Sequence, residues 1–480
     1  MPSKIMDTSP NILHICVDDM NPWLGSLRDL PFSHPQAITP NLDRLAAEGV
    51  TFTNAHAAAP LCNPARTAIM TGMHPTTSGV YGNYCWWKPH LQDVPTLPEV
   101  ARAHGYHAAG AGKVYHHCIG FNPPEQWDDY QAQSFDDTWD RQSRVNYPHI
   151  TPAPPPPGHP LHGMDYFVHE FDWGSLPIEE SQYGDQNAIA YAEHFLAQPH
   201  AKPFYLACGL FHPHLPWYAP QRFFDLYDPE SIIVPAEYRE TDWTRIPEKG
   251  KQLAALGPQD QDQFGVLSRA GKLRQAMHAY LANISFADAM VGRLLDTLAT
   301  SEHANNTVVV FHGDHGFHVG AKNHFGKQTL WRESTQVPLI MKGPGLAAGH
   351  RIDHVITTLD LAATLGELCD WTPPTHWDSR SLGSLLRHEA PLRSAALCSL
   401  NPETHAVITD DHRFIAYDDG TEELYDLKND PWESHNLIDE LGMDSIRQTL
   451  RDQLPHSPAH EAPGHEAYQF DWQNYQWSSG

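Results

Sequence analysis

The sequence predicts an α/β protein built on a large mixed, mostly parallel sheet flanked by helices, with a smaller C-terminal α+β subdomain containing an antiparallel sheet. Three observations carry this. Four short apolar runs of strand length each end in a polar cluster, as buried strands do where the chain leaves a sheet. Segments with helical spacing separate them. Toward the C-terminus the pattern changes to short strands divided by Asp-rich turns. At 480 residues the chain can bury substantial cores.

The elements follow in order. Asn11-Ile-Leu-His-Ile-Cys-Val17 reads as a buried strand ending in Asp18-Asp19. Thr39 to Gly49 is a helix with a glycine stop, and Val50 to Asn54 is a strand. Pro64 suits the first position of a helix that Thr67-Ala-Ile-Met70 continues. Thr96 to Gly105 is a helix feeding the strand Tyr106 to Gly112, which leads into Lys113-Val-Tyr-His116. From about 120 to 180 periodicity vanishes among Pro, Trp, Asp and His, and this stretch is expected to be a functional loop rimming the site. Phe204 to Phe211 is the next strand and runs into His212-Pro-His214-Leu-Pro216. Met277, Tyr280, Leu281, Ile284, Val291, Leu294, Leu295 and Leu298 form the core-facing stripe of a long helix. Thr307 to His312 is the fourth strand, ending in Gly313-Asp314-His315-Gly316. A helix around Leu361 to Leu368 precedes Trp371-Thr-Pro-Pro374, where a boundary divides residues 1–372 from 373–480. Beyond it, His405–Thr409, Arg413–Tyr417 and Glu423–Leu427 make an antiparallel meander. The aromatic tail Tyr468–Trp477 is expected to pack on its own chain or across a homo-oligomer.

In open α/β sheets, ligands bind just beyond the carboxyl ends of the parallel strands. The four polar clusters, far apart in sequence, should therefore meet in one crevice. Cys62-Asn-Pro-Ala-Arg66 adds a nucleophile one helical turn before an arginine. Backbone N–H groups at a helix start attract anions, and a guanidinium offers a fork of donors matched to a tetrahedral oxyanion. Asp18, Asp19 and Asp314 supply hard oxygen ligands of the kind that favour Ca²⁺ or Mg²⁺.

With Cys62-x-Pro-x-Arg66 in this company, the chain resembles the sulfatase family of the alkaline phosphatase superfamily, from Pro10-Asn-Ile-Leu to Glu423-Leu-Tyr-Asp-Leu. It is most similar to the iduronate-2-sulfatase-like branch. The features behind this are Asp18-Asp-Met-Asn-Pro, Gly112-Lys-Val-Tyr-His116, Pro213-His-Leu-Pro216, Gly313-Asp-His-Gly316 and Val337-Pro-Leu-Ile340. The resemblance implies an alkaline-phosphatase-like fold and hydrolysis of sulfate monoesters, on a sulfated sugar such as a sulfated uronic acid or oligosaccharide. It implies that a formylglycine-generating enzyme oxidises Cys62 to formylglycine. One hydroxyl of the hydrated aldehyde attacks sulfur, and the other expels sulfate; a plain thiol cannot perform that second step. It also implies a divalent cation, Ca²⁺ with Mg²⁺ as the alternative, held by Asp18, Asp19, Asp314, His315 and the modified Cys62. Arg66, Lys113 and Lys327 would face developing negative charge. His116 would contact the formylglycine hydroxyl, and His214 would protonate the leaving oxygen. Two other readings share the fold, a phosphonate monoester or phosphodiester hydrolase and a choline-sulfatase-like small-molecule sulfatase. The Lys113–His116 and Asp314-His315 pairs favour the sulfatase over the phosphonate reading.

Within the pattern, Lys322 competes with Lys327, which spacing from Asp314 favours. His212 competes with His214, which the His-x-Pro setting selects. His104, His107, His117, His159 and His162 read as surface or loop residues, and none has zinc-finger spacing. Trp87 and Lys88 are candidates for a rim that selects the sugar, because an indole face and an ammonium suit a sugar acid. Met73 stands where the family pattern has arginine, and Ala65 where it has serine. A net charge of −27 argues against nucleic acid and anionic membranes as partners, and no apolar run has transmembrane length. Met1 to Thr8 lacks the apolar core of a secretory signal. The seven cysteines form no disulfide framework, and Cys16 and Cys208 read as core residues. A cytoplasmic location is therefore expected, or a periplasmic or secreted one if a leader was removed.

Overall fold

A computed structural model describes residues 9–116, 120–131, 160–164, 171–255, 263–471 and 474–480. Much of the expected rim, residues 132–159 and 165–170, lies outside the described residues, as do His117 and His159. One sheet has nine strands. They are β1 (Asn11–Val17), β2 (Val50–His56), β3 (His107–Gly112), β4 (Asp129–Gln131), β5 (Phe204–Leu210), β6 (Thr307–Gly313), β7 (Gln336–Lys342), β8 (His350–Ile352) and β9 (Ile356–Thr357). The spatial order is β8-β2-β7-β6-β1-β5-β3-β4, with β9 beside β2. Among the described residues, only β7 runs against its neighbours, β2 and β6. The four strands that end in polar clusters are adjacent, in the order β6-β1-β5-β3, and mutually parallel. Their carboxyl ends therefore open onto one edge, as the sequence predicts.

Strand alternation sorts the side chains between two layers. Leu13, Ile15 and Val17 of β1 pack in the cluster that holds Met277, Tyr280 and Ile284 of the long helix Leu273–Thr300. Ile12 faces the opposite cluster, with Ile69 and Met70. Each such aliphatic side chain contributes about 1.5–3 kcal/mol on full burial, so both layers are held by the same sheet. At the site edge two glycines allow β3 and β5 to approach. A Cβ on Gly209 would lie 2.0 Å from the Lys113 carbonyl, and one on Gly112, whose φ is +72°, would lie 2.1 Å from the Gly209 oxygen. No side chain fits at either position.

The meander has four strands, β10 (Ala396–Asn401), β11 (Thr404–Ile408), β12 (His412–Ala416) and β13 (Glu422–Asp426). The sequence reading missed β10, because Ala396-Leu-Cys-Ser-Leu-Asn401 carries no β-branched residue. Its Ser399 N–H donates to the Ala58 carbonyl at 2.9 Å, tying this sheet to the segment before Cys62. The tail forms a hairpin, β14 (Tyr468–Asp471) and β15 (Gln476–Ser479). It packs on its own chain, with Phe470 edge-on to Trp86 at 5.0 Å and the Tyr475 hydroxyl accepting from the Asn122 N–H at 3.0 Å.

Candidate active site

Two local devices bring the charges together. Asp19 adopts a φ of +57°, a left-handed conformation that aspartate tolerates better than most residues. Consecutive strand residues point to opposite faces, and this turn lets the Asp18 and Asp19 carboxylates converge instead. The Tyr280 hydroxyl locks it, donating to the Asp19 carbonyl at 2.6 Å and accepting from the Asn21 N–H at 3.0 Å. The second device is the helix Cys62–Thr71, whose residues are all buried. It starts two residues before the expected Pro64, so Cys62 itself occupies the first turn. Pro64 is tolerated there because the first helical N–H groups have no intrahelical partner. Asn63 pins the start, donating to the Gly82 and Cys85 carbonyls at 2.8 Å each.

The Cys62 sulfur lies 3.0 Å from Lys327 Nζ and 3.2 Å from His315 Nε2. Lys327 Nζ also donates to Asp19 Oδ1 at 2.8 Å. Arg66 donates from Nε to Asp314 Oδ2 at 2.8 Å and from Nη1 to the Lys113 and Val114 carbonyls. Its Nη2 makes no hydrogen bond among the described residues and stands 3.5 Å from Asp18 Oδ1. Lys113 Nζ pairs with Asp18 Oδ2. His214 Nε2 stands 3.6 Å from Asp19 Oδ2. His315 Nδ1 lies 3.0 Å from the Gly316 carbonyl, and His214 Nδ1 contacts the Leu215 carbonyl. A carbonyl only accepts, so Nδ1 carries a proton in both rings and Nε2 faces the site.

Three buried carboxylates in one pocket require cations beside them. Burial would raise Asp18, but Lys113, His214, Arg66 and Lys327 outweigh it and hold the carboxyl well below the usual range. Burial pushes Asp19 up to about 6 against the pull of Lys327, with Asp18 adding to the rise. Burial opposes the charge on His315, yet Asp314 and Cys62 lift it to about 9. Desolvation likewise opposes the Lys327 charge, and Asp19 and Cys62 more than restore it. Asp18 Oδ1 and Asp19 Oδ2 are buried and accept no hydrogen bond among the described residues. One ligand atom each from Asp18, Cys62, Asp314 and His315 lies within 4.8 Å of the others. These residues fit a divalent cation, with the uncommitted carboxylate oxygens as hard ligands.

The competing assignments separate cleanly. Lys322 is turned away, donating to the Glu433 carbonyl and covering the Tyr425 ring at 5.0 Å, which leaves Lys327 in the site. His212 is held between Asp185 Oδ2 at 2.6 Å and the Tyr218 carbonyl at 2.8 Å, which leaves His214. The His116 ring stands edge-on to Phe121 at 5.3 Å. Trp87 does not form a rim: it is fully buried, stacked on Tyr115 at 5.2 Å, with its indole N–H on the Phe121 carbonyl. Its apolar neighbours outcompete solvent for the indole face. Lys88 turns to Glu99 at 3.7 Å. His162 is buried rather than on the surface, its Nε2 3.1 Å from the Phe171 carbonyl.

The sulfatase family profile matches residues 10–371. The chain belongs to the sulfatase family. A profile described as N-sulphoglucosamine sulphohydrolase, C-terminal, matches residues 320–459 of this sulfatase. A sulfatase of Formosa agariphila is 35% identical to it over 474 residues, covering 94% of this chain and 87% of the relative. Iduronate 2-sulfatase of Homo sapiens is 29% identical over 370 residues, covering 74% of this chain and 64% of the relative. The phosphonate monoester hydrolase of Agrobacterium radiobacter shares the fold, with a TM-score of 0.72 at 19% identity over 98% of this chain and 99% of that one. The sulfatase is thus a sulfuric ester hydrolase with a mixed, mostly parallel sheet and a C-terminal antiparallel sheet.

Sequence reasoning passed over several residues that shape the site of this sulfatase. Tyr280 read as one more core position, and spacing alone gives no sign that its hydroxyl holds Asp19. His14 and His312 sat unremarked inside apolar strand runs, although a histidine there is itself a signal. Burial, with the neighbouring His312 and Arg66, keeps His14 well below the ordinary imidazole range. Burial and Arg66 bring His312 down to about 4. Both rings are therefore neutral at physiological pH.

Proposed function

We propose that this sulfatase hydrolyses sulfate monoesters of sugars through a formylglycine made from Cys62, with Ca²⁺ as its metal. The observation that supports this most is the placement of Cys62 at a helix start, its sulfur within 3.2 Å of both Lys327 and His315 and inside the acidic cluster. An inert structural cysteine gains nothing from two cationic neighbours and a metal-ligand set. Oxidation by a formylglycine-generating enzyme would supply an oxygen nucleophile at that point. Asp18, Asp19, Asp314 and His315 would hold the cation, which supplies Lewis-acid polarisation of a sulfate oxygen.

The protein's own groups perform the remaining work. Arg66 Nη2 makes no hydrogen bond among the described residues, and it is available to a sulfate oxygen. Lys113 and Lys327 neutralise further negative charge beside it. His116 assists the nucleophilic hydroxyl. His214, with Nδ1 committed to the Leu215 carbonyl, carries its mobile proton on Nε2 and delivers it to the leaving oxygen. The likeness to iduronate 2-sulfatase supports a sugar sulfate as substrate. Initial rates on an aryl sulfate, an aryl phosphonate and a phosphodiester, after co-expression with the maturation enzyme, test the reading. The sulfate should be turned over fastest, and a preference for the phosphonate would overturn it.

A further inference from the structure

We propose that Tyr205, His14 and His312 form a hydrogen-bonded relay, one layer beneath the site, that fixes the main chain at Gly313 and through it the Asp314 carboxylate. This rests on the reading of Asp314 as a metal ligand in sulfate ester hydrolysis. The three side chains come from three neighbouring strands, β5, β1 and β6. The Tyr205 hydroxyl lies 2.7 Å from His14 Nδ1, and His14 Nε2 lies 2.7 Å from His312 Nε2. His312 Nδ1 lies 2.8 Å from the Gly313 carbonyl oxygen.

One order of donors satisfies this chain with neutral rings. The Gly313 carbonyl can only accept, so His312 carries its proton on Nδ1 and presents a lone pair at Nε2. His14 must then donate from Nε2 and accept at Nδ1, and the Tyr205 hydroxyl is there to donate. Every ring nitrogen of the two histidines is used. The strands that carry these rings also carry the site. Asp18 follows β1 and Asp314 follows β6, while β5 runs on to His214. The Asp314 N–H donates to the Val17 carbonyl at 3.1 Å, and Asp314 Oδ2 accepts from Arg66 Nε. A relay that holds the Gly313 carbonyl thus sets where the Asp314 side chain begins.

Packing alone does not account for these residues. A small cavity lined by His14, Cys16, Arg66, Met70 and His312 lies beneath Arg66, so the floor of the site is not filled by contact. Aliphatic side chains would pack between these strands without any polar group to desolvate. A buried polar chain specifies one geometry only when every member is satisfied, and this one is.

The test uses the full chain with His14→Leu, His14→Gln and Tyr205→Phe. Three quantities are read: the Kd for Ca²⁺ by calorimetry, hydrogen–deuterium exchange across residues 313–316, and kcat and KM on an aryl sulfate. His14→Leu should weaken Ca²⁺ binding and lower kcat by about 10–100-fold, as loss of an outer-shell partner does. KM should change little, and exchange across 313–316 should accelerate. His14→Gln, whose amide can donate to His312 and accept from Tyr205, should recover most of each loss. Parental Ca²⁺ affinity and exchange in His14→Leu, or a glutamine variant no better than leucine, would overturn the proposal whatever the Tm. If His14→Leu does not fold, Tyr205→Phe decides, since it removes only a hydroxyl; unchanged exchange there overturns the relay. A parent inert on sulfate esters or without Ca²⁺ binding, but with exchange that still accelerates on mutation, sinks the functional reading and leaves the relay standing.

Discussion

Asp314→Asn should abolish Ca²⁺ binding at the site and cut sulfate ester turnover by about a hundredfold or more, beyond the 10–100-fold typical of an outer-shell change. Asp314 Oδ1 accepts from the backbone N–H groups of Asp19 at 3.2 Å and His315 at 2.8 Å, and Oδ2 accepts from Arg66 Nε. An asparagine can keep the first two contacts with its carbonyl oxygen. Its amide N–H₂ then faces the Arg66 N–H, donor against donor, so the charge and the anchor for Arg66 are lost together. The local fold should survive, because the backbone contacts remain. Calorimetric titration of Ca²⁺ into chelated protein checks this, and parental affinity in the variant would contradict the ligand assignment.

Arg66→Ala should lower kcat by about 10²–10³-fold on aryl and sugar sulfates alike, the usual loss on removing one preorganised donor. The loss should be uniform because, in the proposed function, Arg66 meets the sulfuryl oxygens whatever the leaving group. The variant also takes the Nε donor from Asp314 and one neighbouring cation from Asp18, which Lys113 still pairs, so it should lower stability as well as rate. Arg66→Lys separates the two effects, keeping the charge while losing the fork. His214→Ala should behave differently. A phenolate leaves without a proton and an alkoxide does not, so its loss of about 10²–10⁴-fold should fall on sugar sulfates. The ratio of aryl to sugar sulfate rates in each variant is the measurement. Equal losses on both esters in His214→Ala would move the acid role to another group.

The core of the site was legible in the sequence because strand ends in a parallel sheet converge. Asp18, Lys113, His214 and Asp314 follow from four apolar runs and one geometric rule. Side-chain partners separate the candidates that spacing left open. His212 is held between the buried Asp185 carboxylate and the Tyr218 carbonyl, and Lys322 is spent on Glu433 and the Tyr425 ring. What sequence could not supply depends on side-chain direction. Trp87 and Trp86 are adjacent, yet the first is buried on Tyr115 and the second lies under the C-terminal hairpin. The left-handed turn at Asp19 is invisible in composition, although it decides where two carboxylates point. Strand β10 was missed because its partner β11, not its own residues, makes it a strand.

The central claim is that activity belongs to an oxidised Cys62. Peptide mass spectrometry of the segment containing Cys62, run on fractions of graded specific activity, tests it most directly. Oxidation of the thiol to an aldehyde lowers the residue mass by about 18 Da, and activity should rise in proportion to the fraction carrying that loss. A preparation with wholly unmodified Cys62 that turns over sulfate esters at the rate of the converted enzyme would contradict the account.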